Sequence, residues 1–579
     1  MRLRHPMAKH DAKKTARIVR SLPFQPAAPA LARHVGSPLA SAAVEEVLDV
    51  RNIQGNILAG FNKDHQALLF LKITDAAKAK RWLQFITPSI ATMDEVVSFN
   101  RLFKAMRARR ADEPCGLVAT WLNIAFSRDA IETLTSSAEA ARFRDEAFQA
   151  GLPARSPLLG DPTALHAPGS PKNWKFGRPG AIPDVVLTVA SDDVNALQEE
   201  VDHLKTTLKK IPGATASGGS GLTLMFDQRG NTLPGALRGH EHFGFKDGIS
   251  QPAVRGRLSE APDDFLTARY VDPADSRAKL LSTPGSVLVY PGQFVFGYER
   301  QDANGDGALP FDPTVVPAWA KNGSYLVIRR LRQDVKAFRD AMSKQAKRLA
   351  KEQGFKGVSA ATLAAKLVGR WPSGAPVARS PEADDEALGK NDFANNHFAY
   401  QDDTTPVPLK NAPPHRPDDF AQSRADLFGF SCPHAAHVRK VNPRDLATDT
   451  GGAHDTLTRR ILRRGIPYGD PLPRTAGSTS SANTADRGLL FVCYQTSIEN
   501  QFEFLTNHWV NATAAPEDGG FDVIIGQNGG DAARQRTADL PALIDPTQTL
   551  TFTTEWVVPT GGGYFFAPSI EALATVLSV

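Results

Sequence analysis

The chain has 579 residues, 41% of them hydrophobic and 22% charged, with a formal charge of +5 and three cysteines. That length exceeds what a single core usually supports, so two domains of about 200 to 250 residues are expected. No apolar run of 18 residues exists, which excludes a membrane-spanning helix, and three cysteines make no disulfide framework, which favours a reducing, cytoplasmic setting.

The charge is unevenly placed. Residues 1–44 hold eight basic residues against one acid, Asp11, leaving that segment at +7 and the rest of the chain at −2. A nearly neutral body with a basic arm argues against a nucleic-acid enzyme. The arm, taken as residues 1–46, is rich in Ala, Pro, Arg and Ser and lacks the apolar stretch of a secretory signal, so it is expected to be disordered.

The first folded region is expected over residues 47–285. Gln66-Ala-Leu-Leu-Phe-Leu-Lys-Ile-Thr reads as a buried strand, after which Asp75 caps a helix reaching about Ile86. Leu117 to Phe126 is a second strand candidate. Val185 to Ala190 is a third, and Asp192 or Asp193 caps a helix whose Val194, Leu197, Val201, Leu204 and Leu208 share one face.

Residues 286–579 repeat the layout. Ser324 to Leu331 reads as a strand, and Asp334 caps a helix with Val335, Phe338, Met342 and Leu349 inward, ending by Gly354. From Gly369 to Pro433 periodicity fails among many prolines, which predicts a long loop that helps enclose a cofactor. Gly488 to Gln495 is a strand running into a helix from Ser497 to Trp509. Thr551 to Val558 and Tyr564-Phe-Phe are late strands, with a short helix after Pro568. The layout predicts an α+β protein of two similar halves, each an antiparallel sheet covered by helices.

Chemistry concentrates between Ser431 and Asp470. Peroxide reduction at haem needs a neutral imidazole on iron, oriented by a partner on its other nitrogen. It also needs a proton shuttle and a fixed positive charge that stabilises the breaking O–O bond, and arginine suits the second role. In Cys432-Pro-His-Ala-Ala-His-Val-Arg-Lys the preferred ligand is His437, with His434 open from spacing alone. In Thr458-Arg-Arg-Ile-Leu-Arg-Arg-Gly-Ile-Pro-Tyr-Gly the cation is Arg463 or Arg464. The shuttle is sought in Gly239-His-Glu-His-Phe-Gly-Phe-Lys-Asp-Gly, where His240, His242 and Asp247 are candidates and Gly248 lets backbone approach a flat ring. Two other readings use the same residues: a haem carrier without turnover, and a zinc or copper site built from Cys432, His434 and His437.

Gly244-Phe-Lys-Asp-Gly matches the Gly-x-x-Asp-Gly signature of dye-decolorising peroxidases. Ile53-Gln-Gly-Asn-Ile-Leu, Gly323-Ser-Tyr-Leu-Val-Ile-Arg-Arg-Leu, Ala436-His-Val-Arg-Lys-Val-Asn-Pro-Arg, Phe521-Asp-Val-Ile-Ile-Gly-Gln and Pro559-Thr-Gly-Gly-Gly-Tyr-Phe-Phe resemble that family too, from about residue 47 to 579. The wording of the motifs is similar to the large class with fungal-like sequences. The resemblance implies two ferredoxin-like domains with haem b held mainly by the second.

It also implies residue roles. Asp247 becomes the distal acid–base residue and His437 the proximal iron ligand. Arg463 becomes the distal arginine, because the family places it four residues before the proline of Ile-Pro-Tyr-Gly. Asp522 is implied as the partner of His437, Leu489 and Phe491 as pocket wall, and Arg439 and Arg444 as contacts of the haem propionates. Hydrogen peroxide and aromatic donors such as dyes and phenols are the implied substrates, with neither nucleic acid nor membrane as partner and monomer or dimer left open. An ordinary aspartate titrates near pH ~4, so activity is expected to extend to acidic pH. Trp319, Trp371, Tyr400 and Tyr494 are among the candidates for passing electrons from bulky donors.

Overall fold

The computed structural model describes residues 45–110, 116–212, 219–269, 281–282, 286–401, 420–473, 485–529, 534–542 and 546–579. The expected disorder of the basic arm falls almost wholly on residues 1–44, outside that set.

Strand β1 (His65–Ile73) leads into helix α1 (Ala76–Ile86), followed by β2 (Thr120–Phe126), β3 (Val185–Ser191), α2 (Val194–Lys209) and β4 (Leu222–Asn231). The second half gives β5 (Ser324–Gln333), α3 (Val335–Leu349), a helical turn α4 (His437–Lys440) and two short strands, β6 (Leu462–Arg463) and β7 (Ile466–Tyr468). It closes with β8 (Gly488–Gln495), the wide π-type helix α5 (Ile498–Val510) and β9 (Val557–Ala567). The capping aspartates start their helices: Asp75 accepts from Lys78 N at 3.0 Å, Asp193 from Ala196 N at 2.8 Å and Asp334 from Ala337 N at 3.1 Å.

The long strands form one antiparallel sheet ordered β6-β8-β5-β9-β2-β3-β1-β4, with β7 also on β8. Within each half the order is second, third, first, fourth, with helical crossovers, which is the ferredoxin-like arrangement. The halves join where Phe566 of β9 pairs with Phe126 of β2. At the other end β7 lies against β4, so closely that a Cβ on Gly230 would sit 2.5 Å from the Ile466 side chain. The sheet therefore curls toward a barrel.

Closure buries both faces. On β1, Leu68 and Phe70 join a core with Ile328, Leu490 and Phe565, while Leu69 and Leu71 join another with Trp82, Val201 and Tyr564. Strands buried on both faces read as continuous apolar runs, which is how β1 and β3 looked in the sequence. Both of these cores draw on both halves, while smaller clusters belong to one half alone, such as Phe61, Phe99 and Trp121 in the first.

Two details differ from expectation. Val194, next to the α2 cap, is 52% exposed and not part of the apolar stripe. The late strands are a hairpin, Arg536–Leu540 with Gln548–Phe552, and the single long β9. The run Gly561–Gly563 does not break β9, because side chains are excluded there: a Cβ on Gly562 would lie 2.6 Å from the Ile328 carbonyl. The described part of the 369–433 loop is ordered around buried Trp371, Leu388, Phe398 and Tyr400, packed on Cys432 and Ala436 just before α4.

Candidate active site

A cavity of about 570 Å³ gathers Asp247 and Gly248 from the first half with His437, Arg444, Arg463, Leu489 and Phe491 from the second. Its size falls within the ~300–1,000 Å³ of small-molecule and cofactor sites. Alternation along β8 supplies two wall residues: Leu490 and Val492 point into the barrel core, so Leu489 and Phe491 face the cavity.

Asp247 sits on a turn fixed by its own backbone, its N–H donating to the Gly239 carbonyl at 2.9 Å. Gly244 and Gly248 hold φ of +103° and +79°, conformations that favour glycine and keep the turn tight. Oδ1 of Asp247 accepts from Gly248 N at 2.6 Å and from Nη1 of Arg463 at 3.1 Å. Gln251 reaches across to bond both the N–H and the carbonyl of Arg463, at 3.2 and 3.1 Å. Successive strand residues point to opposite sides, and Arg464 accordingly donates to the Asn56, Ile57 and Leu58 carbonyls. Between the two arginines that spacing left open, Arg463 is the one facing Asp247.

His437 begins α4, and its Nδ1 lies 2.7 Å from Oδ2 of the fully buried Asp522. With Nδ1 engaged, Nε2 is the nitrogen left to face the cavity. Burial alone would lower the imidazole pKa, but the Asp522 carboxylate outweighs it and the net shift is upward. The charges of Arg463 and Asp247 also reach this ring. Asp522 is itself held by Ile524 N and Ile525 N on Oδ1, at 2.9 and 3.2 Å.

The competing residues are otherwise engaged. Both nitrogens of His434 face carbonyls, of Asp518 at 2.8 Å and Leu427 at 3.0 Å. Cys432 is buried against the Tyr400 hydroxyl at 3.7 Å. Cys432, His434 and His437 therefore do not converge, and the described residues contain no cluster of three His, Cys, Asp or Glu able to hold a metal. His240 lines the cavity but binds the Arg238 and Pro372 carbonyls. His242 binds the Tyr468 carbonyl, and burial pushes it down to about 4.

Of the two arginines expected at the propionates, Arg444 lines the cavity, anchored to the Asn396 and Phe398 carbonyls at 3.1 and 3.0 Å. Arg439 does not line it. Its fully buried guanidinium binds Glu517 at 2.8 and 3.0 Å and lies over the Tyr400 ring. In its place stand Arg460 and Arg370, both lining the cavity. Arg370 binds Ser250 and backbone carbonyls, whereas the Arg460 guanidinium has no hydrogen bond or ion pair among the described residues. Burial, then the neighbouring guanidinium of Arg444, lowers both to about 9. Arg460 belongs to a basic run that reads as a solvated face, and Arg370 to the aperiodic loop, so neither stood out in the sequence.

Among the electron-transfer candidates, Trp371, Tyr400 and Tyr494 are buried, at 4%, 0% and 1% exposure. Trp319 is half-buried, its indole N–H bonded to Glu139 at 2.7 Å.

The chain matches two family profiles: "DyP dimeric alpha+beta barrel domain" over residues 52–216 and "Dyp-type peroxidase, C-terminal" over residues 384–520. It is 31% identical over 576 residues to dye-decolorizing peroxidase msp1 of Mycetinis scorodonius, covering 98% of this chain and 94% of that one. It is 29% identical to the multifunctional dye peroxidase DyP2 of an Amycolatopsis strain, covering 93% and 97%. A solved ancestral D-type dye-decolorizing peroxidase superposes with a TM-score of 0.70 at 32% identity, covering 92% of this chain and all of the other. The DyP-type peroxidase of Auricularia auricula-judae gives 0.66 at 27% identity, covering 92% and 99%. The chain belongs to the dye-decolorising peroxidase family, in its fungal-like class, and is a hydrogen-peroxide-dependent peroxidase.

Proposed function

We propose that the chain binds haem b in this cavity, reduces hydrogen peroxide there, and oxidises dyes, phenols or similar aromatic donors in one-electron steps. One observation carries the reading. A single cavity joins an imidazole braced by a buried carboxylate to an aspartate paired with an arginine.

The residues present fit the cofactor. His437 offers a nitrogen with its partner nitrogen already held, the usual arrangement of a ligating histidine. Arg444, Arg460 and Arg370 crowd positive charge at the cavity with no carboxylate paired to them among the described residues. Such charge of one sign, buried at Arg370 and half-buried at Arg444 and Arg460, is costly unless an anion meets it, and two propionates would supply that anion. When bound, haem iron takes up the oxidising equivalents of peroxide and passes them on singly.

The protein's part is positional and protic. Asp522 accepts the Nδ1 proton of His437, which fixes the tautomer and raises the basicity of Nε2. Asp247 takes a proton from one peroxide oxygen and returns it to the other as the bond breaks. Arg463, fixed by Gln251, Ser250 and Asp247, stabilises the charge on the departing oxygen. Leu489 and Phe491 keep water from that space. A related dye-decolorizing peroxidase, 28% identical, has been solved with 2,6-dimethoxyphenol, which makes that phenol a suitable donor to try.

The test is a visible spectrum of the purified protein before and after one equivalent of peroxide, repeated for His437→Ala. A Soret band that changes with peroxide, and that His437→Ala loses, is the expected result. A protein that takes up no haem, or a haem spectrum indifferent to peroxide, would overturn the reading.

A further inference from the structure

Glu241 lies six residues before Asp247 and lines the same cavity. Its Oε2 accepts from Phe243 N at 2.8 Å and its Oε1 from Phe245 N at 2.9 Å. A third donor, the side-chain amide of Gln333, comes from the end of β5. The backbone closes the same turn, Glu241 N to Phe245 O and Gly244 N to Glu241 O, both at 3.0 Å. Phe243 is wedged against Phe338 of α3, ring centroids 4.5 Å apart, and Phe245 is buried. One carboxylate thus ties a first-half turn to a second-half strand, two residues before Asp247.

We propose that Glu241 is a positioning residue for the peroxide step: its ionised carboxylate clamps the Phe243–Asp247 turn onto β5 and thereby sets the reach of Asp247 toward Arg463 and the peroxide. The proposal rests on the assignment of Asp247 above. Three donors converge on this carboxylate, and a protonated acid would present a hydroxyl where only donors wait, so protonation must break part of the clamp. Burial, opposed by the bonds from Phe245, Phe243 and Gln333 and aided by the charge of Asp247, pushes Glu241 up to about 6. Asp247 on its own turn and the neutral Gln333 on β5 are the groups that face it. No Lys, Arg or His forms an ion pair with it among the described residues. The clamp engages as pH rises through that value, so the peroxide reaction, which the Asp247 assignment lets extend to acidic pH, is expected to slow on the acid side of it without stopping.

The experiment uses the haem-loaded full chain. The bimolecular rate with hydrogen peroxide is measured from about pH 4 to 8 for the wild type, Glu241→Gln, Gln333→Met, Asp247→Asn and the double variant E241Q/D247N. KM for 2,6-dimethoxyphenol and hydrogen exchange across residues 239–251 are measured alongside. A displacement near 1 Å can cost ~10²-fold in rate, so Glu241→Gln is expected to slow the peroxide reaction about 10- to 100-fold. It also removes an inflection near pH ~6, leaves the phenol KM within about twofold, and speeds exchange at Phe243 and Phe245. Gln333→Met, which takes away a donor to the ionised form, moves the inflection to higher pH. The double variant is expected to be no slower than D247N, because both changes remove one step.

A wild-type rate and unchanged inflection in Glu241→Gln would overturn the proposal, as would full additivity with Asp247→Asn. Should Glu241→Gln not fold, an unmoved inflection in Gln333→Met does the same. An indifferent D247N would instead sink the assignment of Asp247.

Discussion

Asp247 and Arg463 are 216 residues apart in the chain and meet at 3.1 Å between Oδ1 and Nη1. One comes from a glycine-flanked turn of the first half, the other from a two-residue strand on the edge of the second half's sheet. Their contact is made possible by the sheet that both halves share, and the side chain of Gln251 locks the register between them.

Because the pair divides proton transfer from charge stabilisation, the two single variants are expected to fail differently. Asp247→Asn lowers the rate with peroxide by about 10²- to 10⁴-fold, the usual size of a general acid–base contribution. Arg463→Leu lowers it by about 10²- to 10³-fold. Arg463→Lys recovers only part of the loss, since an ammonium cannot satisfy Asp247 and the Ser250 carbonyl with one rigid fork. Stopped-flow rates at equal haem content decide the matter.

Much of this arrangement was legible in the sequence. Asp75, Asp193 and Asp334 announced their helices, and the apolar runs of β1, β3, β5 and β8 announced strands, because caps and burial are local signals. Asp247, His437, Arg463, Leu489 and Phe491 lie on motifs and reach one cavity. What stayed hidden depends on distant partners. Arg439 was expected at the propionates and Arg460 was not singled out, yet Glu517, 78 residues away in the chain, holds Arg439 in an ion pair while Arg460 lines the cavity. The merger of two sheets into one was hidden too, since it hangs on the Phe566–Phe126 pairing and on β7 meeting β4.

Asp522→Asn is expected to leave haem binding measurable but weakened by about 10- to 100-fold, the usual effect of losing a ligand's buried partner. An amide cannot take the Nδ1 proton while its other atom still accepts from Ile524 and Ile525 N–H, so either the histidine or the loop must shift. Loss of the carboxylate makes His437 a poorer donor, and the ferric–ferrous midpoint potential should rise. Redox titration against the wild type checks the direction.

Stability should depend on Asp145 in a defined pH window. This carboxylate receives Phe148 N on one oxygen and Ser497 Oγ, Ile498 N and Glu499 N on the other, tying two helix starts together. Burial pushes it up to about 6 from the ordinary 3.8. The folded state therefore keeps a proton that the unfolded state releases, so this group's contribution to stability falls as pH rises from about 4 to about 6. A difference of about two pKa units corresponds to roughly 3 kcal/mol. Asp145→Asn, which loses one set of caps, should be less stable than the wild type at pH 4.5, with a deficit that shrinks by pH 7.5. A constant gap in Tm between those two values would contradict it.

Arg439, expected at the propionates, and Arg460, which the sequence did not single out, give the sharpest contrast. Arg439 is fully buried between Glu517 and Asp426, with two carbonyl partners besides. Removing it strands the buried Asp426 and the half-buried Glu517 carboxylates, so Arg439→Met is expected to lower stability by about 3–5 kcal/mol. Haem affinity of the molecules that still fold should change little. Arg460 reverses this, because no partner among the described residues offsets its half-buried charge and the charges that act on it are those of Arg444 and Arg463. Arg460→Met should leave the haem-free protein as stable as the wild type or more so, while haem binds more weakly. Urea unfolding of the haem-free chains, paired with haem titration followed at the Soret band, separates the two effects. Equal haem affinity in Arg460→Met and wild type would show that the guanidinium cluster serves something other than the propionates.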